Sequence, residues 1–160
     1  MDTLMQKGAA LGALLKSRGE TVAISESSTG GLVSASLLAV SGASAYFLGG
    51  GVIYTREARR ALLGLPEKMV TMRGATEAYA LICARAMRDK IGSAWAIAET
   101  GATGPSGNRY GDAAGHCCKA IVGPVERAMT LETGLADREA NMWRFAETCL
   151  AFAAEVIGEA

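Results

Sequence analysis

Thr21-Val22-Ala23-Ile24-Ser25-Glu26-Ser27-Ser28-Thr29-Gly30-Gly31-Leu32 is the stretch from which the fold is read. A short β-type run, Thr21-Val22-Ala23-Ile24, passes through a turn rich in hydroxyls and glycine into an apolar run of helical spacing that begins at Leu32. A strand feeding a helix in this way is a unit of α/β layered domains. The turn also concentrates chemistry. Glu26 and the three hydroxyls of Ser27, Ser28 and Thr29 precede two glycines at a helix N-terminus, where free backbone N–H groups and the positive dipole end favour developing negative charge. Glycine lets an anion approach the backbone closely. A structural reading competes, in which Ser28 or Thr29 simply caps the helix and the glycines make a tight turn. The turn alone leaves both readings open.

Outward from it, residues 3–17 carry Leu4, Leu11, Leu14 and Leu15 on related faces and read as an amphipathic helix stopped by Gly19. The helix after the turn spans about 29–40 and ends in a break at Ser41–Ser44. Gly49-Gly50-Gly51 then leads into Val52-Ile53-Tyr54, a β-branched run where backbone or ligand passes closely. Thr55 caps a helix over 56–63 that Gly64 ends, Pro66 opens a loop to about Arg73, and a helix over about 75–90 is closed by Gly92. Ser93-Ala94-Trp95-Ala96-Ile97-Ala98 is a second buried strand. It enters a polar, glycine-rich loop over 99–111, which leaves the carboxyl end of a strand just as the first turn does. Open α/β sheets place ligands there. Residues 116–122 and 127–132 read as strands joined at Gly123-Pro124, and a last helix runs from Asp137 to about Ile157. The whole, 1–160, reads as one α/β domain, a three-layer α/β/α sandwich on a largely parallel or mixed sheet.

Composition narrows the function. At 160 residues one domain buries about 70% of its unfolded surface, so no staples are needed. Sixteen basic against sixteen acidic residues give no net charge, which argues against a nucleic-acid footprint. Cys83, Cys117, Cys118 and Cys149 form neither a Cys-x-x-Cys pair nor a set with histidine at ligand spacing, so they read as reduced, buried thiols of a cytoplasmic protein with no metal site. Adjacent Cys117 and Cys118 would face opposite sides of a strand. The uncharged stretch 27–55 is long enough to raise a membrane span, but Gly, Ser and Thr interrupt it, so it reads as a buried helix plus a buried strand. No secretory leader is expected.

Five ordered blocks are more specific than their parts: Glu26-Ser27-x-Thr29-Gly30-Gly31, Gly42-x-Ser44-Ala45-x-Phe47, Gly50-x-Val52-x-Tyr54-x-x-Glu57-Ala58, Gly101-x-x-Gly104-Pro105, and Gly115. In order and spacing they resemble the CinA C-terminal domain family, whose members resemble bacterial nicotinamide mononucleotide deamidase. The resemblance covers nearly the whole chain and finds no counterpart in it of the molybdopterin-binding-like domain of longer CinA proteins. It implies hydrolysis of the carboxamide of nicotinamide mononucleotide to nicotinate mononucleotide and ammonia, with no cofactor. Ser27 falls on the family's nucleophile and Tyr54 on its tyrosine. Substrate contacts are implied for Glu26, Thr29, Gly30 and Gly31, and likewise for Ser44, Gly101 and Gly104. Backbone amides near Thr29–Gly31 are expected to hold the oxyanion, and those of 101–107 the substrate phosphate. Family members are often oligomeric, which implies a homo-oligomer. The implied partner is a small mononucleotide, neither nucleic acid nor membrane.

One departure touches the chemistry directly. The family's general base is a lysine in the pattern Tyr-x-x-Glu-Ala-Lys, and here that position is Arg59. A guanidinium keeps its proton at neutral pH and cannot accept one from Ser27. Gly49 and Ala113-Ala114-Gly115-His116-Cys117 also depart from the family pattern. Losing a positioned base costs about 10²–10⁴ in rate. The base is then unassigned between His116, the one imidazole, and Glu26, each of which has a structural reading too. Tyr54 either donates to a leaving group or packs at the strand end. Three functional readings follow: a serine amidohydrolase, a mononucleotide-binding homologue with impaired turnover in which Arg59 holds an anion, and an amidohydrolase for another substrate.

Overall fold

A computed structural model of the chain describes residues 3–160; the first two residues of the expected 1–160 unit lie outside them. Five strands form one sheet: β1 (Val22–Glu26), β2 (Phe47–Val52), β3 (Trp95–Ala102), β4 (His116–Val122) and β5 (Glu126–Glu132), in the order β2-β1-β3-β4-β5. β1 is parallel to both β2 and β3, whereas β3–β4 and β4–β5 are antiparallel, so the sheet is mixed. On one face lie α1 (Leu4–Arg18), α2 (Leu32–Leu38) and α6 (Arg138–Glu159); on the other lie α3 (Arg56–Ala61), α4 (Glu67–Val70) and α5 (Glu77–Ile91). The expected three layers are present.

Side-chain alternation along the strands decides how closely each layer packs. Val22, Ile24, Trp95, Ile97 and Ile121 face α1, α2 and α6, while Ala23, Ala96, Ala98 and Ala120 face α5. Large residues fill one core, and small ones bring α5 down onto the sheet. α1 is started by a capping box between Thr3 and Gln6 and stopped by Gly19 at φ 64. Gly8 is where α1 meets α2, since a Cβ there would collide with the backbone of Ser36.

Several boundaries move. β2 runs through the glycines rather than starting after them, with Gly50 paired to Ile24, and the chain leaves the sheet at Ile53, whose N–H donates to Glu26 O at 2.6 Å. β2 is also an edge strand with Leu48 and Val52 exposed, which corrects the expectation of a buried strand. β3 extends to Ala102, so Glu99, Thr100 and Gly101 belong to the sheet and not to a loop; pairing with Lys119, Cys118 and Cys117 of β4 holds them there. α2 is shorter than expected because the turn continues to Gly31. A four-residue helix, α4, lies within the 66–73 loop, and Ala43–Ala45 forms a 3-10 turn.

All four cysteines are buried and unpaired. Cys117 faces α6, with Cys149 beside it, and Cys118 faces α5. Among the described residues no helix is long and apolar enough to cross a membrane.

Candidate active site

Ser27 is the first residue past β1, at the carboxyl end of the parallel strands. Its placement depends on two buried carboxylates on neighbouring strands, Glu26 at the end of β1 and Glu99 within β3. Glu26 accepts from the amides of Gly31 (3.1 Å), Val33 (2.9 Å) and Ser34 (2.9 Å), which satisfies the N-terminus of α2. Glu99 accepts from the amides of Ser27 (3.0 Å) and Thr29 (2.9 Å), and the Ser28 hydroxyl also donates to it. The Thr29 hydroxyl lies 2.7 Å from Glu26 and 2.8 Å from Glu99, joining the pair. The turn is therefore pinned from below. Deeper still, Lys119 is fully buried, with Nζ 3.5 Å from Cys117 Sγ and 5.7 Å from the centre of the Phe145 ring. Its charge and those of Glu99 and Glu26 all act on Cys149, whose thiol burial pushes up to about 12.

Above the turn lies a cavity of about 400 Å³ whose walls include Ser27, Tyr54, Arg59, Gly101, Arg109 and Tyr110. The first turn and the glycine-rich segment thus face each other across it, as their positions in the sequence implied. The Tyr54 hydroxyl accepts from Arg138 Nη2 at 3.2 Å, and Arg138 Nη1 donates to Gly104 O at 2.6 Å. Arg59 Nη1 donates to Val70 O (2.7 Å) and Met72 O (3.0 Å), and its guanidinium stacks 4.2 Å from the centre of the Tyr79 ring. Arg109 Nη2 donates to the Tyr110 hydroxyl at 2.8 Å. That bond lowers the pKa of the phenol from its ordinary value, burial opposes it, and the charges of Arg109, Arg56 and Arg59 lower it further. The wall is cationic. A larger hollow, about 530 Å³, lies between Leu63–Met69 and α5, but no hydroxyl or thiol lines it.

Of the expected site residues, Ser27, Tyr54, Arg59 and Gly101 share the cavity. The others do not. Ser44 sits before β2, which runs parallel to β1, so it lies at the opposite end of the sheet from Ser27. Glu26 is 1% exposed and spends both oxygens on α2, so it is a helix cap and not a base. Thr29 is buried beneath the turn, and Gly30 and Gly31 shape it at φ 61 and φ 105. Gly104 is buried with its carbonyl turned to Arg138. Neither Ser28 nor Thr29 caps α2, because Glu26 already does. The expected oxyanion donors are likewise occupied: Thr29 N bonds Glu99, Gly30 N bonds Ser27 O and Gly31 N bonds Glu26. Among the described residues, the Ser28 amide is the one in this turn without a protein acceptor. His116 is outside the cavity lining, with Nδ1 on Glu132 and Nε2 donating to Ala75 O at 2.7 Å.

Reading the sequence missed Glu99, Arg109, Tyr110 and Arg138. Glu99 did leave a signal: Ala23-Ile24-Ser25-Glu26-Ser27 and Ala96-Ile97-Ala98-Glu99-Thr100 follow one pattern, and β1 and β3 align the two in register. Arg138 left none, since its role depends on where α6 begins.

The model of the CinA C-terminal domain family matches residues 5–157. The chain belongs to the CinA C-terminal domain family. A CinA-like protein of Synechococcus sp. is 38% identical over 130 residues, which is 81% of this chain and 31% of that protein. One from Synechocystis sp. is 36% identical over 143 residues, 88% of this chain and 34% of its own length. The chain thus spans about a third of these curated relatives. Among solved structures, a CinA superfamily protein from Klebsiella pneumoniae superposes with a TM-score of 0.92 at 24% identity, covering 99% of this chain and 100% of that one. Another from Enterobacter cloacae gives 0.87 at 25% identity, covering 99% and 93%. These likenesses fix the CinA fold, and the relatives fix the family.

Proposed function

We propose that this CinA-type domain is a serine amidohydrolase that cleaves the carboxamide of nicotinamide mononucleotide to the acid and ammonia. The observation that carries the reading is the common cavity of Ser27, Tyr54 and the Arg59–Arg109 wall. Ser27 Oγ is the nucleophile towards the carboxamide carbon. The amide of the following residue, Ser28, is the donor for the oxyanion, as at other strand-to-helix nucleophile turns. Two guanidinium groups supply the charge that a mononucleotide phosphate requires. Purified protein incubated with nicotinamide mononucleotide is expected to release ammonia, and Ser27→Ala to release none above background. Equal release from both would remove Ser27 from the mechanism.

A second reading, a mononucleotide-binding domain with impaired turnover, is favoured by the bonds that tie Arg59 to Val70 and Met72 and leave no lysine on the cavity wall. Calorimetric titration separates the two: tight binding of the mononucleotide without ammonia release supports the second. Under that reading Arg59→Lys restores turnover by about 10²–10⁴.

A further inference from the structure

Turnover at Ser27 requires a group to take its proton, and most acid–base side chains near the cavity are already committed. Glu26 is bonded to three amides of α2, and Glu99 to the turn itself. Both nitrogens of His116 are engaged, and Asp112 is held by Arg73 (2.8 Å) and Asn108 (2.8 Å). Two phenols remain on the wall with Ser27, those of Tyr54 and Tyr110. Their surroundings differ. Tyr54 has a single cationic donor, Arg138, at 3.2 Å. Tyr110 lies between two guanidinium groups, Arg73 and Arg109, each 5.0 Å from the centre of its ring, and receives a bond from Arg109 at 2.8 Å. Arg59 of α3 shares the cavity wall with it, the charge of Arg56 acts on it from the same helix, and Asp112 is the nearby anion, paired with Arg73. So dense a set of cations favours a phenolate over a phenol.

We propose that Tyr110 is the proton acceptor for Ser27, in the place left by the lysine that Arg59 replaces. The assignment rests on Ser27 being the nucleophile, as above. The Tyr110 phenolate takes the Ser27 Oγ proton while the Oγ–carbon bond forms and the carbonyl electron pair moves to oxygen. As the tetrahedral centre collapses, the phenol returns that proton to the amide nitrogen, the carbon–nitrogen bond breaks and ammonia leaves. Water then attacks the acyl ester, giving its proton to the same phenolate, and the released Ser27 oxygen recovers it. Carboxamide and water become carboxylic acid and ammonia, with the enzyme unchanged.

The test uses modification of Ser27 by a fluorophosphonate, followed by mass spectrometry from neutral to alkaline pH, because it needs an activated hydroxyl but no particular substrate. In the wild type the labelling rate is expected to rise with pH and to level off below the ordinary tyrosine range of about 10. Tyr110→Phe is expected to lower the rate by ~10²–10⁴ and abolish the levelling. Arg109→Gln is expected to push the levelling to higher pH, which a merely structural role for Tyr110 would not do. Tyr110 is 38% exposed, so the phenylalanine variant keeps its fold, and an unchanged melting curve checks this. Labelling of the phenylalanine variant within about threefold of wild type, well inside the loss of ~10² expected for a missing base, overturns the assignment. So does the absence of labelling at Ser27. Labelling that depends on Tyr110 sustains it even where nicotinamide mononucleotide yields no ammonia, a result that would count against the substrate alone.

Discussion

The floor and the wall of the cavity are built on opposite principles. Beneath Ser27, nearly every polar group is buried and bonded: two carboxylates absorb the donors of the turn and the first turn of α2, and a buried lysine lies under them. Across the cavity, Arg109 and Tyr110 are exposed and bonded to each other. Apart from the Ser28 amide, this floor is saturated and serves to hold one hydroxyl in place. The guanidinium wall keeps its charge open to solvent. Charge therefore stands in two settings on one cavity, buried and neutralised below, exposed above.

The largest expected effect tests the floor. Lys119→Met replaces a buried ammonium with an apolar group of similar length and leaves buried Glu99, directly across the β3–β4 pair, without its cationic neighbour. A buried charge stripped of its partner costs about 3–5 kcal/mol, so chemical denaturation should show a loss of that order. A neutral result would mean that the floor is not held by charge balance.

An intermediate effect concerns His116, which clamps the cavity rim by donating to Glu132 and to Ala75 O. Burial pulls its pKa down, but the bonds to Glu132 and Ala75 and the charge of Asp112 outweigh burial and leave it above the ordinary 6.5. A folded-state pKa raised above the unfolded one contributes stability that is complete below about 6.5 and fades as pH rises through the folded value. His116→Gln should therefore cost about 1–2 kcal/mol in mildly acidic buffer. The gap to wild type, followed by thermal melting, should narrow as pH is raised.

The smallest effect belongs to the wall. Arg73→Ala removes a pair with Asp112 in which the arginine side chain is 45% exposed, and should change stability by less than about 1 kcal/mol. If it destabilised the fold as much as Lys119→Met, the distinction between floor and wall would fail.

The sequence disclosed the layers because they follow from local periodicity and from glycine stops such as Gly19 and Gly92. It disclosed that the two segments meet because a hydroxyl-rich turn and a glycine-rich run both leave strands of one sheet, whereas Ser27 itself was singled out by the family resemblance. What stayed hidden depends on contacts between distant segments. Glu99 looked like the start of a loop because its pairing partner, Lys119, is twenty residues further on. Glu26 looked available for chemistry because nothing local says that it folds back onto Val33 and Ser34. Ser44 was expected at the site from the family resemblance alone, and the parallel direction of β2 places it at the far end of the sheet.

Arg138 reaches from the start of α6 to Tyr54 and to Gly104, so the last long segment of the chain fastens the mouth of the cavity. α6 also supplies Phe145, Cys149, Leu150 and Ile157 to the core on that side. Without this helix Ser27 would keep its turn but lose the tie that joins Tyr54 to the Gly104 segment. Cavity geometry and core packing are thus coupled through one helix, and a change that loosens α6 in the core would be felt at the rim.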